Sequence, residues 1–326
     1  MMKINNGGKS LIISHIADID GLSAAVLAKI VEQDINICLV DNNELSPVIK
    51  ELNDTNEYSK YEKIYITDLP VRNDAISILN NNPDFSNKLV HYDHHTSEIN
   101  KDKPSYLNVT IDKNGIPTSG TELFYDYLVE QHPDNTVLNS KYVKDFVEGV
   151  RSYDTWDFKR TGNQDGVNLT ELLSVIGIER YIEKFYLEAM SMKKDNFEFE
   201  KSDMEMILIK QEEVQSYIKD CDRNLIKMPF LDYNIGVVFA ELYRSSVGNQ
   251  LSQKYKDSLD FIMIVNLMRN SISLRTVNEV DLGALAKSIC PDAGGQAKAA
   301  GIPIRKDTIW ILNEVIENAY NKDKTR

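Results

Sequence analysis

Short apolar runs alternate with amphipathic stretches over the first hundred residues. Residues 11–17, 35–40, 63–69 and 87–95 contain apolar runs with the length of buried strands. The intervening residues 22–33 carry apolar side chains along one side, as in a helix, and 71–81 are helix-like. Strands and helices that alternate at this spacing predict a parallel, doubly wound α/β sheet.

The pattern changes after this region. Helices are predicted at 121–131, capped by Thr118 or Ser119, and at about 140–152. Residues 170–227 alternate charged and apolar positions at helical spacing, which predicts linker helices between two domains. A coiled coil is the alternative, although the heptad is poorly kept.

From residue 233 the α/β pattern returns. The predicted elements are a strand at 233–240, a helix at 244–255, a hairpin at 261–277, a short helix at 281–289, a small-residue helix after Gly294 and Gly295, and a last helix at 307–322. We therefore predict an α/β fold with a doubly wound, mainly parallel N-terminal sheet domain (1–165), a helical linker (166–230) and a smaller C-terminal α/β domain (231–326).

Composition narrows the classes of function. The chain has 326 residues, too many for one ordinary core. Its 50 acidic residues exceed its 37 basic residues, giving a net charge of −13. This balance argues against broad binding of long nucleic acid, which requires a basic face. It leaves room for a short oligonucleotide or nucleotide held by a few cations, and for divalent metal held by carboxylates.

Other features point to a cytoplasmic protein. No apolar run approaches the roughly 20 residues that span a bilayer, so we expect no membrane partner. The first ten residues lack the build of a signal peptide. Cys38, Cys221 and Cys290 are odd in number and widely spaced, which favours core thiols in a reducing compartment. Oligomeric state stays open, with a homodimer among the alternatives.

Acidic and imidazole side chains follow the ends of the predicted strands. In a parallel sheet these ends share one edge, where ligands bind. The candidates at strand ends are His15, Asp18, Asp20, Asp68, Asp93, His94 and His95, and Asp154 can join them from the end of the helix predicted at about 140–152. Oxygen with some nitrogen ligation suits Mn²⁺, with Mg²⁺ or Co²⁺ as alternatives, and the set has donors enough for two ions. A pair of such ions is a recurrent device for phosphoester hydrolysis.

Each candidate also has a structural interpretation. Asp18 or Asp20 alone would cap the following helix, and Asp68 could cap the turn before Pro70. His15 could be a core histidine within an apolar strand. Asp157 is the alternative to Asp154.

Several motifs occur in this order along the chain: D-I-D-G, a strand ending in aspartate, D-H-H, a later aspartate, and a C-terminal G-G-Q-A-K-A-A-G after S-L-R-T. With these motifs the chain resembles the DHH phosphoesterases and their DHH-associated domain. The segment Y-R-S-S-V-G-N is most similar to the oligoribonuclease branch, the nanoRNases. The resemblance spans His15 to Gly301, nearly the whole chain. Gln296 stands where the family usually has histidine, and glutamine cannot carry a proton or charge.

The resemblance implies a role for each residue. One Mn²⁺ would be held by His15, Asp18 and Asp68, and a second by Asp20, Asp68, His94 and Asp154. His95 would contact the scissile phosphate, and Asp93 would orient a histidine. Substrate would be bound by Arg244, Arg275, Gly294, Gly295, Gln296 and Lys298, with the active site in the cleft between the domains. The glycine pair before a small-residue helix would also suit a phosphate on its own account.

These expectations converge on a two-metal hydrolase that degrades short oligoribonucleotides or small nucleotide phosphodiesters to mononucleotides. Alternative activities are a phosphodiesterase for cyclic or linear dinucleotides, or a 3′-phosphoadenosine phosphatase. An inorganic pyrophosphatase ranks below these. The alternative of a different class is a non-catalytic nucleotide-binding protein, in which metal ligands would have been lost.

Overall fold

The computed structural model describes residues 1–4, 6–95 and 104–323, with side chains up to residue 318. It divides into two compact units, Met1–Ile207 and Leu208–Arg326. Each unit is built on its own six-stranded sheet. The predicted α/β fold class is confirmed.

The first unit contains eight strands and ten complete helices of α or 3-10 type among the residues described. Its strands are β1 (Met2–Ile4), β2 (Ser10–His15), β3 (Asn36–Val40), β4 (Lys63–Thr67), β5 (Leu89–Asp93), β6 (Leu107–Val109), β7 (Asp112–Lys113) and β8 (Ile116–Pro117). Its helices are α1 (Ile19–Val31), α2 (Leu45–Asp54), a 3-10 helix (Glu57–Lys60), α3 (Asn73–Asn80), α4 (Pro83–Ser86), α5 (Gly120–Gln131), α6 (Lys141–Asp154), α7 (Phe158–Thr161), α8 (Asp165–Ile176) and α9 (Ile178–Ser191). The next helix, α10 (Lys201–Arg223), crosses the boundary between the units.

The main sheet of the first unit has the strand order β1-β3-β2-β4-β5-β6. Only β1 runs antiparallel to its neighbour within this sheet. Alternate residues of one strand enter two cores: Ile12 packs with α1 and α5, whereas Leu11 and Ile13 pack with α2 and α3. Burial on both faces explains why the strands read as continuous apolar runs.

The topology creates a crevice at the carboxyl ends of β2 and β4. The chain leaves β2 through α1 to β3 on one side, while β4 pairs with β2 on the other side. Where the strand order reverses in this way, the connecting segments diverge and leave room for a ligand. The acidic residues predicted from the strand ends lie at this position.

Part of the segment predicted as a linker packs within the first unit. Helix α9 contacts α1, and α8 contacts α6. The units are defined by packing and not by role, so the assignment of a catalytic domain, a linker and a substrate-binding domain stays a prediction.

The second unit is a mixed sheet with helices on both faces. After α10 its elements are β9 (Ile226–Phe230), β10 (Tyr233–Phe239), α11 (Arg244–Lys254), β11 (Phe261–Asn266), β12 (Ser271–Arg275), α12 (Leu282–Ile289), β13 (Gly294–Gln296), β14 (Ala299–Pro303) and α13 (Ile309–Asp323). The strand order is β13-β14-β12-β11-β10-β9. The predicted hairpin corresponds to β11 and β12, which pair antiparallel.

The small-residue helix predicted after the glycine pair is wrong. Gly294 and Gly295 form β13, and the residues that follow return as β14. The reason is pairing along the whole of β12, from Ser271 opposite Pro303 to Arg275 opposite Ala299. Gly295 has a φ of 149°, and a Cβ there would lie 2.3 Å from the carbonyl oxygen of Ala299. The glycine therefore permits close backbone contact within a hairpin. Within the described residues no helix begins directly after the glycine pair, so the pair does not provide the helix N-terminus on which the predicted phosphate site depends.

Cys38, Cys221 and Cys290 are all buried and free of disulfides, as predicted. No helix in residues 1–4, 6–95 and 104–323 combines the length and hydrophobicity needed to cross a membrane.

Candidate metal centre

The turn between β2 and α1 supplies the first group of side chains. His15 ends β2, and Asp18 caps α1 by accepting from the N–H groups of Asp20 at 3.1 Å and Gly21 at 3.3 Å. The other oxygen of Asp18 lies 3.0 Å from His15 Nδ1. A Cβ at Gly21 would lie 2.2 Å from the His15 carbonyl oxygen, so glycine lets α1 start against the end of β2. Asp18 therefore both caps the helix and faces the site.

Asp68 follows β4 at the centre of the crevice. Its φ of 54° lies in the left-handed region, which aspartate and asparagine tolerate better than most residues. The side chain is 2% exposed, with Oδ2 3.4 Å from His15 Nδ1 and Oδ1 3.4 Å from His94 Nε2. The two oxygens of one carboxylate thus face two different histidines.

The D-H-H motif lies at the end of β5. Asp93 is fully buried as the last residue of the strand, and its Oδ1 is 2.7 Å from His95 Nδ1. His94 lies beside Asp68 and points its Nε2 atom towards two further carboxylates, those of Asp20 at 3.8 Å and Asp154 at 3.4 Å. Asp93 is therefore placed to orient His95, and His94 to join the acidic cluster.

Asp154 arrives from the carboxyl end of α6, as predicted. Its neighbour Asp157 is engaged elsewhere, with Arg151 at 2.9 Å and Arg160 at 2.7 Å. The structure thus brings Asp154, and not Asp157, to His94.

The side chains form overlapping groups whose ligating atoms lie within 4.8 Å of one another. The groups are His15, Asp18 and Asp68; Asp20, His94 and Asp154; and Asp68, His94 and His95. Seven of the eight candidate residues predicted from the sequence therefore converge directly, and Asp93, the eighth, joins them through its contact with His95.

Asp20 is held by backbone groups that its own sequence segment does not predict. Asp20 is 1% exposed and accepts from the N–H groups of Gly120 at 2.7 Å and Thr121 at 2.9 Å, the first two residues of α5. Thr121 also donates its hydroxyl to the Asp20 carbonyl. The free N–H groups at a helix start are suited to a carboxylate. The sequence does indicate that a helix begins after Ser119, but it does not indicate which side chain accepts from the first N–H groups of that helix.

The electrostatics of this cluster are those of crowded carboxylates. Burial, with Asp68 and Asp154 adding to it, raises the pKa of Asp20 well above its usual range. Burial likewise raises the pKa of Asp154 to about 6, although His94 opposes the shift. Each of these carboxyl groups therefore resists ionisation unless positive charge is nearby.

The histidines supply that positive charge as protons. Asp18, and then Asp68, raise the pKa of His15 to about 10. Burial lowers the pKa of His94, but Asp68, Asp20 and Asp154 outweigh it and raise the value to about 10. The carboxylates are thus neutralised by imidazolium groups, a role that a divalent cation would take over.

Buried polar atoms without hydrogen bonds among the described residues also indicate that the side chains of this cluster are suited to bind a metal ion. His15 Nδ1, Asp68 Oδ2 and Asp154 Oδ2 are buried without a hydrogen bond of suitable geometry to any described residue. Such atoms are costly unless something else binds them. Carboxylate oxygen with imidazole nitrogen is a donor set for Mn²⁺ and its neighbours.

The second unit gathers the predicted substrate-binding residues near β12. Arg275 and Gln296 both stand opposite Ala299, from the two strands that flank β14, so their side chains share one face of the sheet. Arg275 Nη2 donates to the Oγ of Ser245, the residue after Arg244, at 3.4 Å. Burial, and then the charge of Arg244, lower the pKa of Arg275. Neither arginine forms an ion pair with a carboxylate that the structure describes. Lys298 lies 3.6 Å from Glu279 and is partly neutralised.

No family model matches the chain. The oligoribonuclease NrnB from Bacillus subtilis is 28% identical over 314 residues, which cover 95% of this chain and 76% of that protein. The fold is similar to a solved DHH domain from a protein assigned to a family of ribosomal proteins, with a TM-score of 0.56, 15% identity, and coverage of 97% of this chain and 87% of that one. The predicted resemblance to the DHH phosphoesterases is confirmed.

A second solved structure supports the DHH-type fold. The exonuclease RecJ bound to manganese has a TM-score of 0.53 and 13% identity, covering 95% of this chain and 89% of that one. At these identities the structural likeness concerns the fold. This chain therefore shares its fold with RecJ over nearly its full length, although most of the residues differ.

Proposed function

We propose that this chain is a metal-dependent phosphoesterase that hydrolyses short oligoribonucleotides or small nucleotide phosphodiesters to mononucleotides. The observation that carries the proposal is the position of Asp68, whose two oxygens face separate groups of donors, each 3.4 Å from a different histidine. A carboxylate in this position can bridge two cations. The similarity to NrnB, an oligoribonuclease by name, favours nucleotide substrates.

Two Mn²⁺ ions are the proposed cofactors, with Mg²⁺ or Co²⁺ as alternatives; RecJ, which shares the fold, is bound to manganese. The first would be held by His15, Asp18 and Asp68. The second would be held by Asp20, Asp68, His94 and Asp154. Such ions supply Lewis acidity and a water of lowered pKa at neutral pH.

Residues around the ion ligands would position the substrate and its protons. Asp93 accepts from His95 Nδ1 at 2.7 Å and raises the pKa of that imidazole, which favours its protonated form. His95 is 35% exposed and is the member of the D-H-H motif most open to solvent. It is therefore placed to donate a hydrogen bond to a scissile phosphate and to protonate the leaving oxygen.

Substrate recognition is assigned to the second unit. Arg244 and Arg275 provide paired guanidinium groups without described carboxylate partners, and a guanidinium group binds phosphate through two parallel hydrogen bonds. Gln296 is exposed on the same sheet face as Arg275 and can hydrogen-bond to a base or phosphate. Lys298, Gly294 and Gly295 complete the proposed substrate-binding set.

Gln296 favours a second candidate substrate. An amide can both donate to and accept from a base edge, so a linear or cyclic dinucleotide read by its bases is an alternative to an oligoribonucleotide. A 3′-phosphoadenosine phosphatase would present the same phosphate chemistry. These alternatives differ only in substrate, and one panel of substrates separates them.

The experiment incubates the protein with di- to pentaribonucleotides in Mn²⁺ and separates the products. We expect mononucleotides, and no release after chelation of the metal. Asp68→Asn, which keeps the shape of the side chain, is the inactive control. Matched deoxyribonucleotides, cyclic dinucleotides and 3′-phosphoadenosine in parallel give the preferred class. The panel is repeated with Mg²⁺ and Co²⁺. If no substrate releases product with Mn²⁺, Mg²⁺ or Co²⁺, the proposed function is wrong.

A further inference from the structure

An exposed tryptophan follows Asp154 by two residues. Trp156 is 63% exposed and has a φ of 62°, in the left-handed region that costs a residue with a Cβ roughly 1 kcal/mol. Helix α6 ends here. The N–H group of Thr155 still donates to the carbonyl four residues back, that of Arg151, whereas the N–H group of Trp156 donates to the carbonyl three residues back, that of Tyr153. This position after a helix favours glycine, which avoids the cost. Helix termination therefore does not explain a large aromatic residue.

Burial does not explain it either. The other tryptophan of the chain, Trp310, is 39% exposed and stacks on the buried Phe230 with centroids 5.8 Å apart. The ring contact of Trp156 is with Phe158, whose centroid lies 5.9 Å away and which packs in turn on Tyr153; neither of these rings is fully buried. These contacts orient the indole but leave most of it open to solvent. An outlier in backbone conformation that gains little packing indicates a functional role.

The charge beside the indole indicates the type of ligand. Lys159 Nζ lies 4.2 Å from the centre of the Trp156 ring. Within the described part of the chain Lys159 forms no ion pair, whereas the neighbouring Arg160 is paired with Asp157. A flat apolar surface and a cation without an ion pair among the described residues are thus adjacent. They follow Asp154, a carboxylate of the candidate metal centre, by two and five residues in the chain. A nucleotide presents the matching pair, a flat base and an anionic phosphate.

We propose that Trp156 is a stacking surface for a nucleobase of the substrate and that Lys159 binds the phosphate next to that base. The proposal rests on the function proposed above and adds a base contact from the first unit to those proposed for the second. Trp156 follows Asp154 by two peptide units, at most about 7 Å of chain, so the stacked base would belong to a nucleotide adjacent to the reacting phosphate. Stacking does not depend on base identity, which suits an enzyme for oligonucleotides of mixed sequence.

The first test compares substrates with and without a base. Trp156→Gly removes the ring and also the backbone strain, so the thermal stability should be unchanged or higher. Base stacking contributes about 1–3 kcal/mol, so KM for the dinucleotide ApA should rise roughly 5- to 150-fold. An analogue of ApA with an abasic nucleotide should be hydrolysed equally by both proteins, and Trp156→Phe should recover most of the loss. Equal losses on the two substrates, or an unchanged KM for ApA, would overturn the proposal.

The second test does not require turnover. The chain has two tryptophans, so Trp310→Phe leaves Trp156 as the sole source of tryptophan emission. We expect AMP to quench this emission saturably in the presence of Mn²⁺, and ribose 5-phosphate, which has the phosphate but no base, to leave it unchanged. Trp156→Phe, in which Trp310 alone emits, is the control and should respond to neither.

The two tests separate the two proposals. Absence of hydrolysis would refute the phosphoesterase, while the AMP titration would still decide whether Trp156 stacks on a base. Normal hydrolysis of ApA with no effect of AMP on Trp156 emission, or with the same effect from ribose 5-phosphate, would refute stacking and leave the phosphoesterase standing.

Discussion

Gly120→Ala tests how α5 positions the carboxylates of the candidate metal centre. A Cβ at this residue would lie 2.7 Å from the Cβ of Asp68, and the Gly120 N–H group donates to Asp20 at 2.7 Å. Ordinary contact of a Cβ begins at 3.4 Å, so the two segments must separate by about 0.7 Å, the difference between these distances. The substitution therefore disturbs two proposed ligands without altering either side chain.

The magnitude follows from this displacement. If α5 moves by the whole amount, its hydrogen bond to Asp20 lengthens from 2.7 Å to about 3.4 Å, outside the normal range. Overpacking of this kind lowers the free energy of unfolding by about 1–3 kcal/mol. Loss of a hydrogen bond that orients a metal-binding side chain, such as that of Asp20, typically weakens metal binding about 10- to 100-fold. We expect both effects in Gly120→Ala.

The assay is a calorimetric titration with Mn²⁺, together with thermal unfolding of the metal-free protein. Gly115→Asn is the matched control, because a Cβ at Gly115 meets no atom within 4 Å and its φ of 80° is in the region that asparagine tolerates. The control should bind Mn²⁺ as the unaltered protein does. If Gly120→Ala also keeps normal affinity and stability, the contact between α5 and Asp68 does not position the ligands.

Four further predictions concern the same cluster and the proposed substrate contacts. Asp68→Asn, which suits the left-handed backbone, should abolish turnover and weaken Mn²⁺ binding at both sites, and a near-normal rate would exclude the bridging role. Mn²⁺ uptake at pH 7 should release protons, because His15 and His94 have pKa values of about 10 in the metal-free protein; titration in buffers of different ionisation enthalpy measures this. Asp154 has a pKa of about 6 when folded, raised above its unfolded value, so its ionisation destabilises the fold as pH rises from about 4 to 6. Metal-free Asp154→Asn should accordingly be more stable by about 1–3 kcal/mol above pH 6 and no more stable below pH 4, as denaturant unfolding would show. Arg275→Ala should raise KM with little change in kcat, with Arg275→Lys as the control for charge, and a loss confined to kcat would contradict a substrate-binding role.

Much of the site could be predicted because each ligand follows a recognisable strand or helix. The apolar runs around His15, Asp68 and Asp93 predict strands, and a parallel sheet places their carboxyl ends together whatever lies between them. Asp154 could be placed by the end of a periodic helix. The site can therefore be predicted from strands and helices that short stretches of sequence indicate.

Contacts between distant segments left no such signal. The N–H groups of Gly120 and Thr121 bind Asp20 across a hundred residues, and backbone donors look alike in any sequence. The glycine-rich C-terminal segment has a similar explanation. Small residues such as Ala299 and Ala300 are compatible with a helix locally, and pairing with β12 decides their structure. The sequence gives no sign of the left-handed backbone at Trp156, which only the three-dimensional structure reveals.

The hydrogen bonds from α5 to Asp20 have a consequence for synthesis of the protein. While the ribosome has delivered only β2 and α1, Asp20 lacks both the donors from α5 and the neighbouring carboxylate at the end of α6. The second proposed cation, which needs Asp20 near the start of the segment and Asp154 at its end, can be fully held only after α6 has emerged. Loading of both ions would then mark a chain that extends beyond α6, and products truncated before Asp154 would lack this source of stability.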